Sequence, residues 1–252
     1  MNKLLEIKSV SHVYHTKENE TIAVDDLSFD VFKGEFISVI GPSGCGKTTV
    51  LSLIAGLLPP SRGEILISNT PVKAGSDKLG YMLQKDQLFP WRTIEKNVFI
   101  PLEIKKKLTD DAKNYGLNLL DKYGLTSFRK SYPYELSGGM RQRVALIRTL
   151  VAKPELLLLD EPFSALDYQT RLSVCDDVYK IITEQNVTAV LVTHDISEAI
   201  SVSDRIIVLS KRPSKVKHIF ELDYGKTTPL KRRETSNFSK WFELLYKEIT
   251  ND

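Results

Sequence analysis

Gly41-Pro42-Ser43-Gly44-Cys45-Gly46-Lys47-Thr48 sets a lysine and a hydroxyl at the end of a glycine-rich run, the residue types that can hold a polyphosphate. The glycines let consecutive backbone N–H groups turn inward on phosphate oxygens, and a helix starting near Lys47 adds its positive end. Lys47 would reach the terminal phosphates. The Thr48 hydroxyl suits Mg²⁺, a hard cation that prefers oxygen. A second cluster, Leu156 to Leu159 followed by Asp160-Glu161, puts two carboxylates at the C-terminal edge of a buried strand, where open α/β sheets bind their ligands. There Asp160 would hold Mg²⁺ through water. Glu161, pointing the other way along the pleat, could polarise an attacking water. A third element, Leu136-Ser137-Gly138-Gly139-Met140, precedes a helical pattern at Val144, Ile147 and Val151. Ser137 can cap that helix, and Gly138 and Gly139 leave its N–H groups bare. It is a second anion-binding helix end on a chain with one phosphate cradle.

These residues need a scaffold of strands with helices between them. Leu5/Ile7 and Leu27/Phe29/Val31 alternate with polar neighbours, so residues 5–40 read as strands, a half-buried antiparallel sheet leading into the buried run Phe36 to Ile40. Apolar positions at Val50, Leu51, Ile54, Leu57 and Leu58 predict a helix over 47–58, stopped by Pro59-Pro60. Strands follow at Glu64 to Ser68 and Leu79 to Leu83, and Thr93 to Val151 is mostly helical. Short apolar runs at Leu156-Leu159, Ala189-Val192 and Ile206-Leu209 are buried strands, and their alternation with helices implies a largely parallel sheet. From about Pro213 the tail is more polar and ends in an amphipathic helix candidate, Phe238 to Tyr246. The expectation is one unit over 1–252, with a helical insertion at about 88–150 and a tail at about 213–252.

Composition supports an ordinary globular chain: 252 residues, 42% hydrophobic and 27% charged. A net charge of +3, spread widely, does not suggest a nucleic-acid partner. The densest basic runs, Lys105-Lys106-Lys107 and Lys231-Arg232-Arg233, read as solvated faces. Cys45 and Cys175 lack metal-ligand spacing and suit a reducing compartment. Cys45, within the phosphate loop, is expected to react with thiol reagents unless nucleotide protects it. Neither a signal peptide nor the roughly 20 apolar residues of a membrane span is visible. A role at a membrane would require docking to another chain.

Leu136-Ser137-Gly138-Gly139-Met140-Arg141-Gln142-Arg143 resembles the signature sequence of ABC ATPases, and the other elements of that family follow in order. Gln84 matches the Q-loop. Ser164-Ala165-Leu166-Asp167 matches the D-loop, His194 the switch histidine, and Tyr14 the aromatic that stacks on adenine. The resemblance covers residues 5 to about 212. It implies an α/β fold: a P-loop NTPase core with a mostly parallel sheet, an antiparallel β subdomain and an inserted helical subdomain. It implies ATP and Mg²⁺ as cofactors, with Thr49 joining the nucleotide-binding run Gly41 to Thr48 and Gln84 joining Thr48 and Asp160 at the metal. His194 would contact the γ-phosphate, and Gln84 would link the site to a membrane partner. The implied assembly is a head-to-tail pair, a homodimer in the simplest case, in which each nucleotide lies between the phosphate loop of one chain and Ser137-Gly138-Gly139 of the other. Its partners would be transmembrane permease subunits and, through them, a periplasmic or lipid-anchored substrate-binding protein. The chain would then lie at the cytoplasmic face of the cell membrane.

Gln84 to Thr93, followed by Asn97-Val98, resembles the nitrate/sulfonate/taurine branch of importer ATPases, whose members also handle thiamine precursors. Leu209-Ser210-Lys211-Arg212-Pro213-Ser214 resembles that branch's final core strand. Leu88 to Trp91 would face a groove for a coupling helix; the alternative is that Phe89 and Trp91 are core. Two departures, Ile147-Arg148-Thr149-Leu150 for Ala-Arg-Ala-Leu and Tyr168 for Ala, fall outside the phosphate-handling positions. The rival readings are weaker. A soluble ABC ATPase of DNA repair or translation usually has a coiled-coil insertion or two cassettes, and a P-loop kinase or GTPase would not need Ser137-Gly138-Gly139. A nonhydrolytic module would not need Glu161 and His194.

Overall fold

In chain order the first elements are β1 (Lys3–His15), β2 (Glu20–Phe32), β3 (Phe36–Ile40), α1 (Lys47–Ile54), β4 (Arg62–Ile67), β5 (Thr70–Pro71), β6 (Leu79–Met82), α2 (Ile94–Ile104) and α3 (Asp110–Lys122). Then come α4 (Gly138–Leu150), β7 (Leu156–Asp160), α5 (Tyr168–Glu184), β8 (Thr188–Val192), α6 (Ile196–Val202), β9 (Arg205–Leu209), β10 (Val216–Glu221), α7 (Pro229–Arg233) and α8 (Ser236–Thr250). This is a computed structural model describing residues 2–15, 19–225 and 227–250. The unit expected over 1–252 thus runs past the described residues at Met1 and at Asn251-Asp252.

β1 and β2 pair antiparallel, β4 lies on the other side of β1, and β5 forms the edge, giving the order β2-β1-β4-β5. At Leu4-Leu5 and Ala23-Val24 both residues are buried; Ile7, Leu27, Phe29 and Val31 turn to the core while their neighbours are partly or fully exposed. That is why this sheet alternates in sequence. The second sheet runs β10-β9-β3-β8-β7-β6, parallel throughout except at β10. Every residue of β3, β7 and β8 is buried, which accounts for their unbroken apolar runs. α1 packs between the antiparallel sheet and one face of the parallel sheet, while α2, α3 and α4 cluster on the other face of the parallel sheet. The parallel order brings the C-terminal ends of β3, β7, β8 and β9 to one rim.

Three expectations shift. α1 ends at Ile54, short of residue 58, because the amides of Leu57 and Leu58 fold back onto the Ser52 carbonyl. The tail carries the expected helix and, before it, a strand that the sequence did not announce. β10 closes the edge of the parallel sheet, and α8 buries Leu245 among Ile40, Ile196, Ile200 and Ile206. In the basic run on α7, Arg232 is fully buried, not solvated. Its guanidinium donates to the carbonyls of Thr227 and Ser203 and lies over the rings of Tyr179 and Tyr224. Carbonyl dipoles and aromatic faces replace water around this cation. The other run is solvated as expected, with Lys105 and Lys107 paired to Asp77.

Candidate active site

The loop from Gly41 to Thr48 connects β3 to α1, and its turn depends on glycine at two points. A side chain at Gly41 would press to within 2.9 Å of the Leu209 carbonyl at the end of β9. Gly46 has φ +117, and a side chain there would lie 3.3 Å from both the Ala23 carbonyl and the Ser214 hydroxyl. The Lys47 ammonium is buried and donates to the carbonyls of Gly41 (2.9 Å) and Pro42 (3.0 Å) of its own loop. This holds a cation at the mouth of a glycine cradle. A cleft of about 590 Å³ opens above it, walled by Ser43, Gly44 and residues 46–49. Beside this cleft, Tyr14 at the end of β1 shares a 3.1 Å hydroxyl–hydroxyl hydrogen bond with Thr49.

Glu161, His194 and Arg212 form the remaining walls. Glu161 falls one residue past β7 with φ +44, so a left-handed turn, not the pleat, aims its carboxylate. Such a conformation in a non-glycine residue costs about 1–3 kcal/mol and is characteristic of working sites. Its Oε2 accepts from Gln84 Nε2 at 3.3 Å and lies 3.1 Å from His194 Nδ1. Gln84 also donates to the hydroxyl of Ser164, which caps the Glu161 carbonyl at 2.9 Å. Asp160, the last residue of β7, is buried, and burial raises its pKa. Its partner is a hydroxyl, Tyr81 Oη at 3.3 Å, rather than a cation. The same burial and the neighbouring carboxylate push the Tyr81 phenol upward.

Ser137, Gly138 and Gly139 stand apart from this cleft. Ser137 caps α4 by accepting the Met140 amide, and Gly138 lines a different cleft with Asp86, Arg141 and Leu166. Both glycines also have a packing reason. A side chain at Gly138 would meet Leu166, and one at Gly139 would meet Val174 at 2.8 Å and Thr170 at 3.1 Å on α5. Arg141 pairs with Asp86 at 3.0 Å, and Arg148 donates to the carbonyls of Asp86 and Gln87. The segment after Gln84 is thereby fixed to α4.

The structure gives roles to residues that the sequence left without one. Arg212 reaches the cleft and donates to the Gly44 carbonyl at 2.9 Å. The signal available in sequence was a basic residue just past an apolar strand. Asn97, fully buried, accepts the Phe89 amide and donates to the carbonyls of Phe89, Arg92 and Thr93. That staple holds Phe89 (40% exposed) and Trp91 (71% exposed) as a stacked pair with ring centroids 5.0 Å apart. The core alternative for these two rings therefore falls, while Leu88 is buried in the helical cluster. Glu198 on α6 is almost fully enclosed, and burial raises its carboxyl to about 7. The expectation of a reactive Cys45 is corrected. Its thiol is 1% exposed and turned beneath the loop, and burial raises its pKa. Thiolate is the nucleophile, so both effects protect it.

The profile of the ABC transporter family matches residues 24–164. An uncharacterized ABC transporter ATP-binding protein of Bacillus subtilis is 48% identical over 249 residues, spanning 98% of this chain and 96% of that one. An aliphatic sulfonates import ATP-binding protein of Bacillus cereus is 42% identical over 224 residues, 88% of this chain and 86% of that one. Among solved structures, a dimeric ATP-binding cassette in a post-hydrolysis state with ADP and Pi superposes with TM-score 0.73 at 33% identity, over 87% of this chain and 99% of that one.

Proposed function

The chain belongs to the ABC transporter ATP-binding family and is an ATPase of that class; from that premise we propose that it drives import of a small solute, working as a head-to-tail dimer. One observation carries this reading. The cradle, Glu161 and His194 share a cleft, while Gly138, beside the Ser137 cap of α4, opens elsewhere. A second copy would bring that helix end to the cleft, and the similar cassette with ADP and Pi is itself a dimer.

In this reading the loop amides from Gly41 to Thr49 and Lys47 hold the phosphates of ATP, and Tyr14 stacks on adenine. Exchanging carbonyl partners for phosphate oxygens suits the Lys47 ammonium, whose charge the loop dipoles only partly offset. The buried carboxylate of Asp160, matched only with a hydroxyl, fits a hard divalent cation, with the Thr48 hydroxyl and Gln84 as further oxygen donors. Mg²⁺ there would neutralise phosphate charge. Glu161 orients the attacking water, and His194 holds Glu161 and the terminal phosphate in register. Residues 88–150 serve as the helical arm carrying Ser137-Gly138-Gly139, and residues 213–252 complete the core. The exposed Phe89–Trp91 pair is the docking point for a permease, which places the chain at the cytoplasmic membrane face. No helix among the described residues is long and apolar enough to cross a membrane.

The cargo class follows the Bacillus cereus relative: an aliphatic sulfonate, or a nitrate-, taurine- or thiamine-precursor-like solute delivered by a substrate-binding protein. The test is reconstitution in liposomes with a permease and binding protein encoded beside it. ATP hydrolysis should rise several-fold when the binding protein carries an alkanesulfonate. Turnover indifferent to permease and binding protein would favour a soluble, non-transport ATPase instead.

A further inference from the structure

Arg171 stands in the first turn of α5, just after the Ser164-Ala165-Leu166-Asp167 turn, and its guanidinium faces two loops at once. Nη2 donates to the Leu166 carbonyl at 3.0 Å. Nη1 reaches Asp195 Oδ2 at 3.4 Å, and Nε lies 3.8 Å from Glu198 Oε1. Glu198 is 2% exposed and its other oxygen accepts from the Thr193 hydroxyl at 2.6 Å. That hydroxyl in turn accepts the Asp195 amide at 3.0 Å. Thr193 and Asp195 flank His194. A single half-buried guanidinium therefore faces the turn after Glu161 and both carboxylates that shape the histidine loop.

The network is one step short of closed. Charge-assisted hydrogen bonds between guanidinium and carboxylate settle near about 2.8 Å, well inside both distances here. Arg171 Nε is buried, and in this structure no acceptor is within hydrogen-bonding range of it. A relative shift of about 1 Å between the two loops would complete the fork and remove an unpaired buried donor, a disfavoured state. Carbonyl, guanidinium and two carboxylates in line make a coupling whose two settings differ by satisfied hydrogen bonds.

We propose that Arg171 and Glu198 are a positioning pair that locks the His194 loop into its working setting when the Leu166 turn is seated. The pair touches no reacting atom and acts through His194. It rests on the role given to His194 above. Under the dimer reading, the Leu166 turn would be seated by the facing subunit, so each histidine would be set by assembly.

A double-mutant cycle on the full chain tests this, with single-turnover hydrolysis, affinity for a fluorescent ATP analogue and melting temperature as readouts. Arg171→Ala should slow hydrolysis about ten-fold or more while nucleotide affinity changes less than about two-fold. Arg171→Lys should recover part of that loss. In a His194→Ala background, Arg171→Ala should cost nothing further, because its effect passes through the histidine. The near-isosteric Glu198→Gln, which keeps the Thr193 contact and the fold, should behave as Arg171→Ala does. Equal fractional losses with and without His194 would overturn the proposal and leave a structural staple, as would unchanged turnover in both single variants. If His194→Ala alone left hydrolysis intact, the role of His194 would fail first and the positioning pair with it.

Discussion

The Nδ1 atom of His194 lies 3.1 Å from Oε2 of Glu161, although the two residues end different strands of the parallel sheet. β7 and β8 are adjacent and in register, Asp160 opposite Val192, so each strand releases its functional residue at the same height. The backbone fixes this further, since the Glu161 amide donates to the Val192 carbonyl at 2.8 Å. Replacing His194 with alanine leaves the cradle intact but frees Glu161 on one side. Hydrolysis should fall by about 100-fold or more, with ATP binding nearly unchanged. Stopped assays and equilibrium binding separate the two, and a loss confined to binding would contradict the geometry.

Much of this was legible because its determinants are local. The cradle is eight consecutive residues between an apolar strand and a helical pattern, and Asp160-Glu161 and His194 sit where short apolar runs stop. Arg212 and Arg171 were not legible, because their meaning depends on which strand ends and turns the fold brings beside them. The Cys45 thiol is buried against its own loop, a matter of loop torsion that spacing does not encode. Arg232 misleads for another reason: a basic run reads as solvated until distant Tyr179 and Tyr224 enclose one member of it. The amphipathic helix of the tail was legible, but β10 was not, since it contributes a ladder edge that no periodicity announces.

Glu198 should make stability depend on pH. Its carboxyl is raised from 4.5 to about 7 by burial, with Asp195 adding to the shift and the Thr193 hydrogen bond, Arg171 and His194 opposing it. A raised acid binds more protons folded than unfolded, so its contribution is full below about 4.5 and is lost as pH climbs through about 7. Relative to Glu198→Gln, the native chain should lose up to about 3 kcal/mol between pH 5 and 8. Denaturant midpoints of both proteins across that range measure it; a constant difference would refute the burial argument.

Asn97 should be costly to replace. Asn97→Ala removes one acceptor and three donor contacts to the 89–93 turn and takes from the Phe89 amide and the Arg92 carbonyl their Asn97 partner. A loss of about 2 kcal/mol or more is expected in urea unfolding. Asn97→Asp, which keeps the Phe89 amide contact but loses the donors, should fall between. A change below about 0.5 kcal/mol for both would show that the turn is held by other means.

Both thiols should be slow. Cys45 and Cys175 are buried and their pKa values are raised by burial. In native protein at neutral pH neither should be titrated promptly by a disulfide reagent, and both should react once the chain is unfolded. Immediate stoichiometric labelling of one thiol, blocked by MgATP, would restore the view of Cys45 as a surface residue of the loop.

The central claim is that Glu161 serves hydrolysis in a site completed by a second copy. Sedimentation velocity of Glu161→Gln, with and without MgATP, tests it most directly. The expected result is a nucleotide-dependent shift to dimer, with ATP recovered intact from the sedimenting species and turnover down by about 100-fold or more. A variant that stays monomeric at saturating MgATP, or that hydrolyses ATP at the native rate, would contradict it.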